Sequence, residues 1–137
     1  IRMTAHTRLP LTARQITLSA FMGAVLWLFA ALLLRFLAPL GIYEGMNTAL
    51  LYALIIPGTV PFLFVVKKIA GLGDDQFALG IAVATSAATL LDGLALAFTP
   101  ALYGTSVDQT AGAGAAILWG AGVGLVLGMI FNKSAAR

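Results

Sequence analysis

Cysteine is missing from this chain, and histidine occurs once, as His6. The first absence excludes disulfides, thiolate zinc centres, iron–sulfur clusters and cysteine nucleophiles. The second leaves no histidine in any apolar segment to ligate haem or the magnesium of a chlorophyll. Charge is scarce as well. Lys, Arg, Asp and Glu make up 9% of the 137 residues, against about 25% in an ordinary soluble domain, whose surface must be solvated by something. No Gly-rich phosphate loop, serine elbow or pair of catalytic carboxylates is present. The expectation is a chain that is not an enzyme, with no cofactor and no metal.

What the chain has instead is apolar length. Hydrophobic residues make up 61% of it, and the mean hydropathy is +1.00. Four apolar segments stand out, at 16–40, 47–66, 76–98 and 112–131. Each holds about 20 residues or more, which at ~1.5 Å per residue spans a hydrocarbon core of ~30 Å. Strands of a membrane barrel need only ~9–11 residues with alternating polarity, and no alternation occurs. The predicted fold is therefore all-α, an integral membrane bundle of four transmembrane helices. It divides the chain into an N-terminal arm (1–15), a membrane domain (16–132) and a short tail (133–137). The first segment exceeds the ~7–15 residues of a signal-peptide core and lacks a small-residue cleavage site, so it is expected to be retained. The chain opens on Ile1, which leaves a trimmed start and a start at Met3 as alternatives.

The basic residues set the orientation. Arg2, Arg8 and Arg14 precede the first segment, Lys67 and Lys68 follow the second, and Lys133 and Arg137 follow the fourth. The other connections, 41–46 and 99–111, contain Glu44 and Asp108 but no Lys or Arg. The positive-inside rule then places both termini and the middle loop on the cytoplasmic side of the inner membrane. The net charge of +3 resides at helix ends and forms no patch, so no nucleic-acid partner is expected. Pro39 with Gly41, and Pro100 with Gly104, mark helix ends. Gly71, Gly73, Asp74 and Asp75 form a turn whose carboxylates are placed to cap the third helix. Tyr43, Tyr52 and Tyr103 fall where amphipathic rings favour the interface. Trp27 and Trp119 lie deeper and read as packing or lipid-facing residues.

Small residues recur at helical spacing. The fourth segment carries Gly112, Ala116, Gly120, Gly124 and Gly128. The third carries Gly80, Ala84 and Ala88, and the next step lands on Asp92. The first offers Ala24, Ala31 and Ala38. Water does not push helices together in lipid, so such faces, which let backbones approach closely, are expected packing surfaces. Whether the partner is internal or another protein stays open.

Two full charges interrupt the apolar runs. Arg35 is nineteen residues beyond Ile16 and Asp92 sixteen beyond Gln76. At ~1.5 Å per residue the offsets are ~28 and ~24 Å, both in the outer part of the membrane. A central arginine or aspartate costs about 2.5–3.5 kcal/mol to insert, which pairing relieves. An Arg35–Asp92 ion pair is expected, alongside the alternative that Arg35 snorkels into the headgroups alone. Asp92 is too short to snorkel. It is a candidate structural clamp or, with Thr85, Ser86 and Thr89, part of a polar track. Pro57 and Pro61 remove two helix hydrogen bonds, freeing the carbonyls of Ala53 and Pro57. They form a candidate hinge or a structural kink satisfied by hydroxyls such as Thr59.

The stretch Leu90-Leu91-Asp92-Gly93-Leu94-Ala95-Leu96-Ala97-Phe98-Thr99-Pro100-Ala101-Leu102-Tyr103-Gly104 resembles a segment of a family of short, uncharacterised four-helix bacterial membrane proteins. Chain length and helix number are similar too. The resemblance implies that Asp92 and Pro100 are family features, and it lends no activity. The small multidrug transporters are similar in hydropathy alone, because their essential acid lies in the first helix and this chain has none there.

Two functional expectations follow. One is a non-catalytic accessory or structural subunit of a larger membrane complex, partnered by the bilayer and by other subunits or copies of itself. The other is a small homo-oligomeric proton- or cation-coupled transporter or channel using Asp92.

Overall fold

Thr12 opens the first helix. Its hydroxyl accepts from the Gln15 amide at 3.1 Å while the Gln15 side chain accepts from the Thr12 amide at 2.9 Å. This reciprocal cap satisfies two orphan donors and fixes the start of α1, Ala13–Leu37. The computed structural model describes residues 10–134. Arg2, His6, Arg8, Arg137 and the first nine residues of the expected arm lie outside that range. A 3-10 turn, Ala38–Leu40, carries α1 to Gly41, whose φ of 76° is a left-handed stop.

The second helix, α2, spans Met46–Ala70 and stays continuous through Pro57 and Pro61. It runs past the expected end, so Lys67 and Lys68 form its last turn, where cations complement the helix dipole. Gly71 then turns left-handed at φ 68°, and its amide and that of Leu72 both return to the Lys67 carbonyl. The third helix, α3, is Phe77–Phe98. The fourth, α4, is Val107–Phe131 and begins earlier than its apolar run, because Ser106 caps it through the Gln109 amide at 3.1 Å. All four helices are long and apolar enough to cross a membrane.

Around the bundle α1 packs on α3, α3 on α4, α4 on α2, and α2 on α1. The outer surface is apolar. Phe36 is 74% exposed, Phe98 79% and Leu118 75%, a surface suited to lipid and not to water. Inside, one cluster gathers Val66, Ala70, Phe77, Ile81 and Ala84, and a second gathers Ala31, Leu34, Ala95, Tyr103 and Ala113.

The small-residue face of α4 is turned into the bundle along its length. A Cβ on Gly112 would meet the Tyr43 ring, one on Gly120 would touch Ile55, and one on Gly124 would touch Thr59 and Thr85. On Gly128 it would come 3.2 Å from Ile81 Cβ. Ala116 is buried between them. On α3, Gly80 accommodates the Leu72 side chain. Ala84 lies against Gly23 of α1, where a Cβ would run into the Ala84 carbonyl oxygen. Ala31 of α1 and Ala38, in the 3-10 turn after it, are buried as well. Gly23, not Ala24, is the α1 residue whose lack of a side chain admits the α3 backbone.

One end of the bundle is tied by polar contacts. The Gln15 side-chain amide donates to the Gly71 carbonyl at 2.9 Å, and that of Gln76 donates to the Pro10 carbonyl at 2.7 Å. Asn132 Oδ1 accepts from the Ala78 amide at 2.9 Å, and the Lys133 amide donates to the Asp74 carbonyl at 2.9 Å. The start of α1, the α2–α3 turn and the end of α4 therefore share one end. Asp74 does not cap α3 as expected. Its carboxylate pairs with Lys67, and that hydrogen bond, followed by the ammonium's charge, holds the carboxyl below the usual carboxylate range.

Candidate functional site

Asp92 continues the Gly80–Ala84–Ala88 face of α3 toward the opposite end of the bundle and is buried. Six residues later the helix ends at Phe98. The Pro100–Leu102 turn then folds the chain back, which brings Tyr103, fully buried, beneath the helix it has just left. The Tyr103 hydroxyl donates to Asp92 Oδ1 at 2.6 Å, and Trp27 Nε1 from α1 donates to the Tyr103 oxygen at 3.0 Å.

The direction of this relay is forced. An indole N–H is a donor only, so the tyrosine oxygen is the acceptor and its hydrogen must go to Asp92. Burial, and then the bond to Asp92, push the Tyr103 hydroxyl above its ordinary range, so it keeps its proton and stays a donor. Asp92 Oδ2 has no hydrogen-bond partner among the described residues.

The expected Arg35–Asp92 ion pair does not form: the Lys67–Asp74 contact is the one ion pair among the described residues. Arg35 is on the exposed side of α1 and donates through Nη1 to the Ala101 carbonyl, in the turn after α3. That carbonyl lies at the end of the bundle, where the guanidinium reaches it without entering the core. A neutral hydroxyl partners Asp92 instead, which avoids burying a second charge.

Tyr103 is likewise not the interfacial ring its position suggested, and Trp27 is a donor as well as a packing residue. Trp119 stacks on Tyr52 with ring centroids 5.4 Å apart and donates to the Tyr52 carbonyl at 3.0 Å. Tyr43 packs its ring over Gly112 and buries a hydroxyl that has no partner among the described residues. Burial pushes that hydroxyl up to about 12, with Tyr52 adding to the shift.

A cavity of about 470 Å³ lies between the two apolar clusters, walled by all four helices. Trp27, Leu34, Ile55, Ala88 and Ile117 are among its apolar lining, and Asp92 is the one charged residue on its wall among the described residues. Thr59, Thr85 and Thr89 line it as well. The Thr59 hydroxyl donates to the Ile55 carbonyl at 2.6 Å and that of Thr89 to the Thr85 carbonyl at 2.8 Å. Thr59 thus serves neither carbonyl freed by the prolines, and neither Ala53 nor Pro57 lines the cavity. Gly58 does, and a Cβ there would meet nothing within 4 Å. Among the described residues no three His, Asp or Glu side chains converge as a metal site would need.

Trp27 and Tyr103 were missed by sequence reasoning. The available signal was that a buried carboxylate requires a donor, and Tyr103 is the first large donor beyond the helix end. Comparison with protein-family models, with curated proteins and with solved structures finds no match to this chain.

Proposed function

We propose that this chain is a small carrier of the inner membrane, with both termini cytoplasmic, in which Asp92 exchanges a proton or cation inside the bilayer. One observation carries this reading. Asp92 is a buried carboxyl with one oxygen held by the Trp27–Tyr103 relay and the other unpartnered, on the wall of an otherwise uncharged cavity. Asp92 Oδ2 is not among the side-chain atoms sealed off without a partner, so it is reached from the cavity, and an intramembrane acid open to a cavity is a candidate ion or proton site. Here one oxygen is left for something that comes and goes.

The rival accessory-subunit reading rests on the lack of catalytic motifs, the small extramembrane mass and the glycine-rich packing faces, the longest of them on α4. That face is occupied within the bundle by Tyr43, Ile55, Thr59 and Ile81, which weighs against an outside partner there. The lysines of the α2 C-terminus and Lys133 at the tied end support the proposed orientation. The cavity lies within one chain, so the reading requires no oligomer.

The test is proton entry into proteoliposomes driven by an imposed membrane potential and read by an internal pH dye. Wild-type protein is expected to pass protons above the lipid background, and Asp92→Asn to fall to that background. Equal rates for the two proteins would sink the reading.

A further inference from the structure

We infer that the cavity binds a small lipophilic organic cation, with its charged nitrogen at Asp92 Oδ2 and its apolar body among the helices. The inference rests on the carrier reading and names its substrate class. Charge complementarity decides the sign. Asp92 is the one ionisable side chain on the wall, so an anion would meet repulsion, while a neutral ligand would leave the carboxylate uncompensated.

Two of the three threonines on the wall agree. The Thr59 and Thr89 hydrogens are committed to backbone carbonyls, so what these hydroxyls have left to offer is lone pairs. Trp27 adds to the wall an indole, the ring type that attracts a cation best. Size sets the upper bound, since about 470 Å³ is in the range of sites for small molecules. Phe29 and Leu33 of α1 and Leu54 and Gly58 of α2 are both on the cavity wall and exposed at the outer surface. The mouth therefore faces lipid, where a lipophilic cation concentrates.

A proton competes for the same oxygen. Around Asp92, Tyr103 from the α3–α4 turn is the titratable neighbour and Trp27 from α1 is neutral. The wall formed by α2 and α4 brings no charged side chain. Arg35 is held at the Ala101 carbonyl. Binding of the cation is accordingly expected to weaken as pH falls.

The test uses benzyltrimethylammonium and its uncharged carbon isostere, neopentylbenzene. Binding to the full chain in nanodiscs is read from Trp27 fluorescence in a Trp119→Phe background. The cation is expected to bind at least about tenfold tighter than the isostere. Asp92→Asn, which retains an acceptor for Tyr103, is expected to abolish that preference. Gly58→Leu, placed where a Cβ has open space, is expected to weaken both ligands by narrowing the mouth, and guards against misfolding of the Asp92 variant. Equal binding of the two probes, no binding of either, or an unchanged cation preference in Asp92→Asn would overturn the inference. None of these outcomes touches the carrier reading, which stands or falls on Asp92-dependent proton entry.

Discussion

Tyr103 lies eleven residues beyond Asp92 yet donates to its Oδ1 at 2.6 Å, because the chain reverses immediately after α3. The same hydroxyl oxygen accepts from Trp27, so removing it orphans both neighbours. Tyr103→Phe is expected to destabilise the bundle by about 1–3 kcal/mol, the cost of leaving buried polar groups unpaired. Trp27→Phe, which leaves the Tyr103–Asp92 bond intact, is expected to cost less. Because the groups act as a chain, the double variant should cost less than the sum of the two. Thermal unfolding in detergent measures all three, and strictly additive effects would refute the relay.

The contact of Gly23 with Ala84 yields a sharper contrast. A Cβ on Gly23 would collide with the Ala84 carbonyl, which is backbone and cannot swing aside, whereas one on Gly122 would meet nothing within 4 Å. Gly23→Ala is expected to push α1 from α3 and cost about 1–3 kcal/mol, as overpacking does. Gly122→Ala is expected to be neutral or to stabilise by up to about 1 kcal/mol, through helix propensity. If the two variants melt together, the α1–α3 contact is not as close as described.

These two sites also mark what the sequence made legible. Helix number and approximate spans followed from apolar length, because in lipid hydropathy is the dominant constraint on a helix. The inward face of α4 was visible as a period of four, although its partners were not. Gly23 escaped because its small-residue series is only one step long, Ser19 to Gly23, and its necessity lies in the opposing backbone of Ala84. The ion pair drawn between Arg35 and Asp92 failed for a related reason. Depth along a helix can be counted from a sequence, but the side of the helix a residue faces depends on how the helices pack. Arg35 faces outward and Asp92 inward, and the donor Asp92 needed came from a turn whose reversal no periodicity announces.

The proposed orientation has a direct check, made clean by the absence of cysteine. Asp75 and Glu44 are exposed in the turns at opposite ends of the bundle. In intact cells, Glu44→Cys is expected to react with a membrane-impermeant maleimide, and Asp75→Cys only after the membrane is opened. The reverse pattern would invert the protein in the membrane and contradict the positive-inside assignment.

The Lys67–Asp74 pair links the tied end to pH. Lys67 holds the Asp74 carboxyl below its usual range by hydrogen bonding and then by charge. Its ammonium also lies 5.7 Å from the centre of the Phe77 ring. A carboxyl depressed in the folded state stabilises above its unfolded value, about 3.9 for aspartate, and loses that contribution as pH falls through the folded value. Lys67→Met keeps the apolar stem and removes the charge, so Asp74 should return toward the ordinary range. At neutral pH the variant is expected to melt slightly below wild type, by an amount that salt reduces, since the pair is exposed to solvent. As pH falls below the usual carboxylate range the two melting curves should converge, because wild type then loses what the variant never had. A gap that persists in strong acid would assign the remaining effect of Lys67 to its ammonium over the Phe77 ring and not to its pairing with Asp74.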